Sequence, residues 1–357
     1  MIKEKTRESW VDVVKGLAIL FVVIGHVVTS YRNSRLLTEA KAFNFICDFL
    51  YAFHMPLFFV ISGYLSGRSQ KTRAIKIAIV RKCITYGVPY IVFSVLAVSL
   101  NFVASAVVNT QLSIKDLLLI VVYPISSLWF IYALLIISVI QLLLGGFLGK
   151  RKATYILLTV SLLVKIAAHL VSGLEMVKGS GFSQCILFDA GKYWFWYVLG
   201  ENMAPAFSME RRQMLGKIPG WICAAVTVVY AGIVYALQNA NIYISESVVL
   251  NVICSSAGVL LCCIWAIKIS QSRTLEYLGK QTFPIYLIHG YVISFGRIVL
   301  SKLHIPLLLG FTPLVFCTIL GTVLPVVVYE ISARIPGLDF VFYPGKYLLS
   351  DRTKHKK

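Results

Sequence analysis

Residues 10–26 read WVDVVKGLAILFVVIGH, and this stretch indicates what kind of protein the chain forms. The apolar run continues to about residue 30, so it reaches the roughly 20 residues that an α-helix needs to cross the hydrocarbon core of a bilayer. Three ionisable residues, Asp12, Lys15 and His26, lie within it. Ionisable groups are costly inside a membrane, and each is therefore a functional candidate.

The rest of the 357-residue chain has the same character. Hydrophobic residues make up 58% of it and charged residues 14%, a composition that excludes a disordered, a collagen-like and an ordinary cytosolic protein. The sequence predicts an all-α polytopic membrane protein with about ten transmembrane helices. The predicted spans lie near 10–30, 43–65, 78–100, 127–148, 153–173, 183–200, 220–238, 248–267, 282–300 and 310–332.

The net charge of +19 is distributed unevenly about these spans. With the N-terminus placed in the cytoplasm, 24 of the 34 Lys and Arg residues fall on inner segments and 7 on outer ones. This bias follows the positive-inside rule and predicts that both termini are cytoplasmic. We therefore expect no nucleic-acid partner, since the surplus of positive charge orients helices among membrane lipids.

The first predicted helix brings its ionisable residues to one face. Lys15 and His26 are 11 residues apart, which is three turns plus about 20°, and about 16 Å along the axis. Asp12 lies one turn before Lys15, at the spacing of an i,i+3 ion pair. Lys15 alone would be read as a snorkelling lysine and His26 alone as a structural histidine, but their alignment favours a functional site.

The second predicted span and the loop after it carry two further candidates. His54 lies in mid-span beside Pro56, whose ring removes a backbone hydrogen bond and can leave polar backbone groups facing a cavity. The following inner loop is the most basic in the chain, and besides setting topology it would suit a polyanionic cytosolic ligand. Its basic residues are Arg68, Lys71, Arg73, Lys76, Arg81 and Lys82.

Several other kinds of site are not indicated by the sequence. The eight cysteines are scattered through apolar runs without a C-x-x-C motif, and the six histidines have no chelating spacing, so we expect no metal. The signatures of ATP-driven transport and of serine hydrolases, a Walker-type loop and G-x-S-x-G, do not occur in the sequence. His289 and the pairs Lys165/His169 and Asp189/Lys192 are further intramembrane ionisable groups.

Four stretches together resemble the acyltransferase-3 family of integral-membrane O-acyltransferases. The first is residues 10–26, where the family has a basic residue, ten intervening residues and a histidine; here Lys15 stands where arginine is common. The others are 53–64 (FHMPLFFVISGY), 127–130 (SLWF) and 278–289 (LGKQTFPIYLIH). One departure concerns the Arg-x-x-Arg found in many members before the third-span proline, because residues 81–88 read RKCITYGV, with a single arginine.

The resemblance implies that the protein is an enzyme and that residues 1–357 form a single integral-membrane acyltransferase domain. It also implies that the protein lies in the cell (plasma) membrane. It would be an O-acetyltransferase that moves an acyl group, usually acetyl from acetyl-CoA, to a hydroxyl of a cell-surface or lipid-linked glycan. The negatively charged donor would meet the inner basic residues, and His26 would be the general base. Three roles fit His54: orienting His26, binding the acceptor or stabilising the oxyanion. The residues assigned to the donor are Lys15, Arg68, Arg73, Arg81 and Lys82.

The sequence also allows another mechanism and other functions. A histidine acyl intermediate is a second route for the same transfer. A proton-coupled secondary transporter or a glycan flippase would also use buried ionisable pairs such as Lys165/His169. Transporters of this size often contain an internal repeat, and the pattern around Lys15 and His26 does not recur in the second half of the chain. A non-catalytic scaffold would leave that alignment unexplained.

Overall fold

The computed structural model describes residues 8–33, 41–68, 75–103, 111–147, 150–302 and 312–349, and within these ranges the regular structure is entirely helical. The α-helices are α1 (Ser9–Asn33), α2 (Lys41–Tyr51), α3 (His54–Arg68), α4 (Ile75–Lys82), α5 (Val88–Val103), α6 (Ile114–Leu119), α7 (Trp129–Phe147), α8 (Lys150–Gly173), α9 (Glu175–Gly179), α10 (Ile186–Asn202), α11 (Met209–Lys217), α12 (Gly220–Asn239), α13 (Val248–Lys268), α14 (Arg273–Lys280), α15 (Thr282–Lys302), α16 (Thr312–Arg334) and α17 (Gly345–Leu348). Short 3₁₀ turns cover Ser126–Leu128, Phe182–Gln184 and Leu338–Val341.

The predicted class, an all-α polytopic membrane protein, is confirmed. Within the described ranges, eight helical segments are long and apolar enough to cross a membrane, and Trp129–Gly145 is a shorter apolar helix. The eight are Ser9–Arg32, Lys41–Arg68, Ile75–Val103, Thr154–Gly173, Gly220–Asn239, Val248–Lys268, Thr282–Leu300 and Thr312–Arg334. The span predicted at 183–200 is the 17-residue α10, which carries Asp189 and Lys192.

Large apolar side chains cover much of the outer surface of these helices. Phe102, Val103 and Val228 are 79%, 84% and 70% exposed, respectively. In water such a surface would drive aggregation, whereas the acyl chains of a bilayer solvate it. The exposed apolar surface therefore agrees with a chain that is solvated by lipid.

The chain forms two compact units. The first comprises residues 1–61 and 203–326, and the second comprises 62–202 and 327–357, so that the division falls within α3 and α16. In the first unit α1 is central and packs against α2, α13, α14 and α15. In the second unit α10 packs against α7 and α8.

Helix α14 lies in direct backbone contact with the first half of α1. A Cβ atom on Gly279 would lie 1.7 Å from the carbonyl oxygen of Asp12, and one on Gly16 would lie 2.1 Å from that of Leu275. Only glycine permits such an approach, because any side chain would hold the two helices apart. Gly16 and Gly279 come from the first and the fourth of the stretches quoted above, so this contact joins two distant motifs.

The second predicted span is broken at residues 52 and 53. Pro56 has no N–H to reach the carbonyl of Ala52, and this oxygen instead accepts a hydrogen bond from Ser255 Oγ of α13 at 2.5 Å. The helix resumes at His54, whose imidazole Nδ1 lies 2.7 Å from the carbonyl oxygen of Leu50. The break expected from Pro56 therefore occurs, and a serine and the histidine itself bond the freed backbone oxygens.

A second proline is accommodated by a wider helical turn. Between α4 and α5, residues Cys83–Gly87 form a π-helix, and Pro89 follows two residues later. A proline ring collides with the carbonyl one turn earlier in a regular α-helix, and a π-bulge relieves such a collision. This is also the point at which the sequence departs from the arginine pair of the acyltransferase-3 family.

Candidate active site

Three histidines that are far apart in sequence lie together in the first unit. The rings of His26, on α1, and His289, on α15, meet edge to face with centroids 5.0 Å apart. His54, at the start of α3, is close enough to His26 for their charges to interact. We refer to His26, His54 and His289 as the histidine cluster.

Two members of the histidine cluster have a defined tautomer. Nδ1 of His54 lies 2.7 Å from the carbonyl oxygen of Leu50, and Nδ1 of His289 lies 2.7 Å from that of Tyr286 and 3.0 Å from that of Ile285. A carbonyl oxygen can only accept, so Nδ1 carries the hydrogen in both rings. In the neutral form each Nε2 is then an acceptor.

Accessibility distinguishes His26 from the other two. His54 and His289 are 2% and 0% exposed, whereas His26 is only partly buried. A group that exchanges a proton with a substrate must be reachable by it. Of the three imidazoles, His26 is therefore the most exposed, with two buried rings beside it.

The predicted ion pair on α1 is present. Lys15 Nζ lies 2.8 Å from Asp12 Oδ1; the Asp12 side chain is 4% exposed and that of Lys15 is 23% exposed. The backbone of Asp12 is also the one that Gly279 approaches, so α14 lies directly against the residue that pairs with Lys15. The pair leaves the ammonium partly accessible on the helix that carries His26.

The basic residues predicted to hold the donor, apart from Lys15, belong to the second unit or fall outside the described ranges. Arg68 Nη1 donates to the hydroxyl oxygen of Tyr64 at 3.0 Å, and Lys82 Nζ lies 5.2 Å from the centre of the Tyr86 ring. Arg81 precedes Lys82 in the last turn of α4. Arg73 lies outside the described residues.

The second unit also holds a polar network that the sequence reading did not identify. Gln141 Nε2 donates to Glu201 Oε2 at 2.6 Å, and Trp194 Nε1 donates to Gln141 Oε1 at 3.1 Å. Glu201 is near enough to Lys82 for their charges to interact. Gln141, a polar residue in the middle of an apolar span, was the sequence feature that could have indicated this network. Glu201 lies one residue beyond the predicted span 183–200.

Lys165 has the contacts of a helix-packing residue. Its Nζ donates to the carbonyl oxygen of Lys192 at 3.2 Å and lies 5.5 Å from the centre of the Trp196 ring. Both contacts join α8 to α10. They give Lys165 a structural role in holding α8 against α10.

His289 and Tyr51 complete the surroundings of His26 and were not among the predicted site residues. The Tyr51 ring meets that of His54 edge to face at 4.8 Å. His289 ends the fourth motif, and its position inside an apolar span was the signal that could have assigned it to the site. Tyr51 had no comparable signal, because it is one of 19 tyrosines. Among the described residues, no group of three or more His, Cys, Asp or Glu could hold a metal ion.

The comparison with protein families identifies the family of the chain. The family model described as an acyltransferase domain matches residues 8–330, which is most of the chain and includes the whole histidine cluster. The chain belongs to the acyltransferase-3 family. It is accordingly a multi-pass membrane enzyme of the O-acyltransferase type.

Three curated proteins illustrate the relationship. The nodulation protein NolL of Mesorhizobium japonicum is 25% identical over 94% of this chain and 89% of its own length. NolL of Sinorhizobium fredii is 44% identical over 17% of this chain and 16% of its own length. The inner membrane protein YcfT of Escherichia coli is 37% identical over 18% of this chain and 20% of its own length. No solved structure matches the chain significantly.

Proposed function

We propose that this enzyme transfers an acetyl group from cytosolic acetyl-CoA to a hydroxyl of a cell-envelope glycan or its precursor, with His26 as the general base. The observation that carries the proposal is the histidine cluster, in which one accessible imidazole on α1 lies against two buried ones. Membership of the acyltransferase-3 family favours acyl transfer over the transporter or flippase alternative. The name of its relative YcfT, an inner membrane protein, supports the cell membrane as the location.

The donor would enter from the basic side of the membrane. Acetyl-CoA carries several phosphate charges, and a partly exposed lysine such as Lys15 or an arginine such as Arg68 attracts them. Lys15 lies about 16 Å from His26 along α1, at 1.5 Å per residue. The pantetheine arm of the donor is long and flexible, so the phosphates would stay near the inner side while the thioester reaches the histidine cluster. The positive-inside rule assigns Arg73, Arg81 and Lys82 to the same side of the membrane, where they would attract the same charges.

The transfer would proceed in two proton movements about His26. Its neutral imidazole takes the proton from the acceptor hydroxyl while the hydroxyl oxygen bonds to the thioester carbonyl carbon. The C–S bond then breaks, and the imidazolium returns the proton to the leaving sulfur, which departs as the thiol of CoA. In this scheme His54 and His289 are positioning residues, because their Nδ1–H groups are already bonded to backbone carbonyls. His54 lies beside His26 and orients it.

The decisive experiment replaces His26 in the full-length protein. We expect His26→Ala and His26→Gln to abolish acetylation of the surface glycan, because the other two imidazoles of the histidine cluster are buried away from the acceptor hydroxyl. Mass spectrometry of the glycan measures the product, and immunoblotting of membranes measures the amount of inserted protein. His169→Ala is the matched control, a histidine in a membrane helix that has no part in the mechanism, and it should keep full activity. Full acetylation by His26→Ala would refute the proposed role.

A further inference from the structure

The first unit contains a cavity next to the histidine cluster. It has a volume of about 80 Å³ and lies between the end of α2, the end of α12, the turn that follows it and the start of α13. Its polar lining residues are Asp48, Tyr51, Gln238, Tyr243, Ser245 and Asn251. The remaining walls are aliphatic, from residues such as Val234 and Ile242.

These side chains form the combination that recognises a sugar. Carboxylate oxygens accept hydrogen bonds from hydroxyls, and amide groups both donate and accept them. Asp48 and Gln238 are already joined by a side-chain hydrogen bond, so each holds the other in place. The rings of Tyr51 and Tyr243, each partly exposed, offer apolar faces with a polar tip to the C–H face of a pyranose. Small-ligand sites typically have a small number of polar groups at fixed positions in an otherwise apolar cavity.

Tyr51 connects the cavity to the proposed base. Its ring lies edge to face against His54 at 4.8 Å. On its other side it packs against Gly25, where an added Cβ would be 3.1 Å from Tyr51 Cε2. Gly25 immediately precedes His26. A ligand resting on Tyr51 in the cavity would therefore touch a side chain that contacts both His54 and the helix that carries His26.

The outer rim of the cavity is rigid. Asn241, with φ of 55°, ends α12 in the left-handed conformation. The N–H of Ile242 donates to the carbonyl of Leu237 at 2.9 Å and that of Asn241 to the carbonyl of Gln238 at 3.0 Å, which is the Schellman arrangement. Leu237 and Ile242 both line the cavity, as the apolar contact of that motif places them together. A preformed rim lowers the entropy lost when a ligand binds.

We infer that this cavity is the acceptor subsite, and that it holds one hydroxyl-bearing sugar ring of the glycan next to the histidine cluster. The inference rests on the proposed function. A volume of about 80 Å³ has room for several water molecules, so it admits the edge of a single ring and no longer piece of the chain. In the predicted topology the cavity opens toward the outer side, where a surface glycan or its precursor is found.

The test separates acceptor from donor binding in the full-length protein in membranes. The acceptor is the envelope glycan of the host cells, freed of its native ester groups by mild alkali, and the donor is radiolabelled acetyl-CoA. We expect Asp48→Asn, Gln238→Ala and Tyr243→Ala each to raise the KM for the glycan tenfold or more. The KM for acetyl-CoA should change less than twofold. Asn239→Ala, an exposed neighbour of Gln238 outside the cavity, is the matched control and should behave as the wild type.

Each other outcome overturns the inference. An unchanged glycan KM in all three variants would exclude the cavity as an acceptor subsite while leaving the proposed function intact, because the wild type would still acetylate the glycan. A larger rise in the KM for acetyl-CoA would assign the cavity to the donor. Equal rises in both KM values together with a lower thermal midpoint would make the residues structural, or would mark a lipid site. If the wild type transfers no acetyl group to the glycan, the proposed function fails and the subsite with it.

Discussion

At the scale of single residues, the break before His54 connects backbone geometry to the chemistry of the site. Pro56 leaves the carbonyl of Ala52 without its helical donor, and the turn leaves that of Leu50 open to a side chain. Ser255 bonds the first and His54 the second, so that the histidine tautomer is set by its own helix start. In the neutral form, Nε2 of His54 is therefore left as an acceptor.

Replacement of Ser255 tests the arrangement. Ser255→Ala leaves the buried carbonyl of Ala52 without a partner, and a buried unpaired group of this kind costs about 1–3 kcal/mol. We expect a lower thermal midpoint in detergent and a reduced kcat, since His54 is displaced. Ser256→Ala is the control, a half-buried serine at the next position of α13. If the two variants were equally stable and equally active, Ser255 would have no part in holding the break.

At the scale of helices, the contact between α1 and α14 fixes where Asp12 and Lys15 lie. Gly16 and Gly279 bring the two backbones together, and Ser9 Oγ donates to the carbonyl of Ser270 at 2.7 Å beside them. The helix α14 is only eight residues long, and it is capped by Ser272, whose hydroxyl accepts from the N–H of Leu275. So short a helix is held mainly by its tertiary contacts, because isolated helices of this length are unstable in water.

We expect Gly279→Ala to force α14 away from α1. The added Cβ would lie 1.7 Å from the Asp12 oxygen, and overpacking of this kind costs about 1–3 kcal/mol. Gly232→Ala is the matched control, since a Cβ there meets nothing within 4 Å and alanine favours the helix by up to about 1 kcal/mol. Thermal unfolding in detergent and acetyl transfer measure the two effects. Equal stability of the two variants would contradict the close approach.

At the scale of the whole molecule, the distribution of Lys and Arg predicts how the helices are oriented in the membrane. The net charge of +19 falls mainly on segments that the predicted topology places inside, and the turn at residues 240–247, beside the proposed acceptor subsite, has no Lys or Arg. The positive-inside rule therefore predicts that this turn is outside and that the turn at residues 269–272 is inside. The same orientation would bring acetyl-CoA to the basic side and the glycan to the other.

Cysteine labelling in intact cells measures this orientation directly. The background is Cys83→Ala, because Cys83 is exposed and the other seven native cysteines are buried. We expect a membrane-impermeant maleimide to label Glu246→Cys in intact cells and Gln271→Cys only after permeabilisation; both positions are exposed in their turns. The reverse pattern would invert the topology and move the proposed acceptor subsite to the cytosolic side.

The features that could be predicted from the sequence are those that depend on residues close together along the chain. The membrane class, most of the spans, the break at Pro56 and the Asp12–Lys15 pair all follow from residues close together in sequence, through hydrophobic length, a missing N–H and helical periodicity. The Glu201–Gln141–Trp194 network escaped prediction because its members lie on two different helices. Helix α10 is 17 residues long and contains Asp189 and Lys192. The sequence already placed both charged residues in the span predicted at 183–200.

By itself, then, the sequence determined that the protein is an all-helical membrane protein, because insertion into lipid depends on composition along the chain. It also identified His26, His54 and Lys15 as candidate site residues, because ionisable groups are rare in apolar spans. Only the tertiary structure decided that His289 joins His26 and His54, that α14 rests on Asp12, and that a cavity with several polar lining residues adjoins Tyr51. Residues 26 and 289 meet because α1 packs against α15. Such contacts arise from side-chain packing between distant segments, and periodicity within one segment carries no information about its partner.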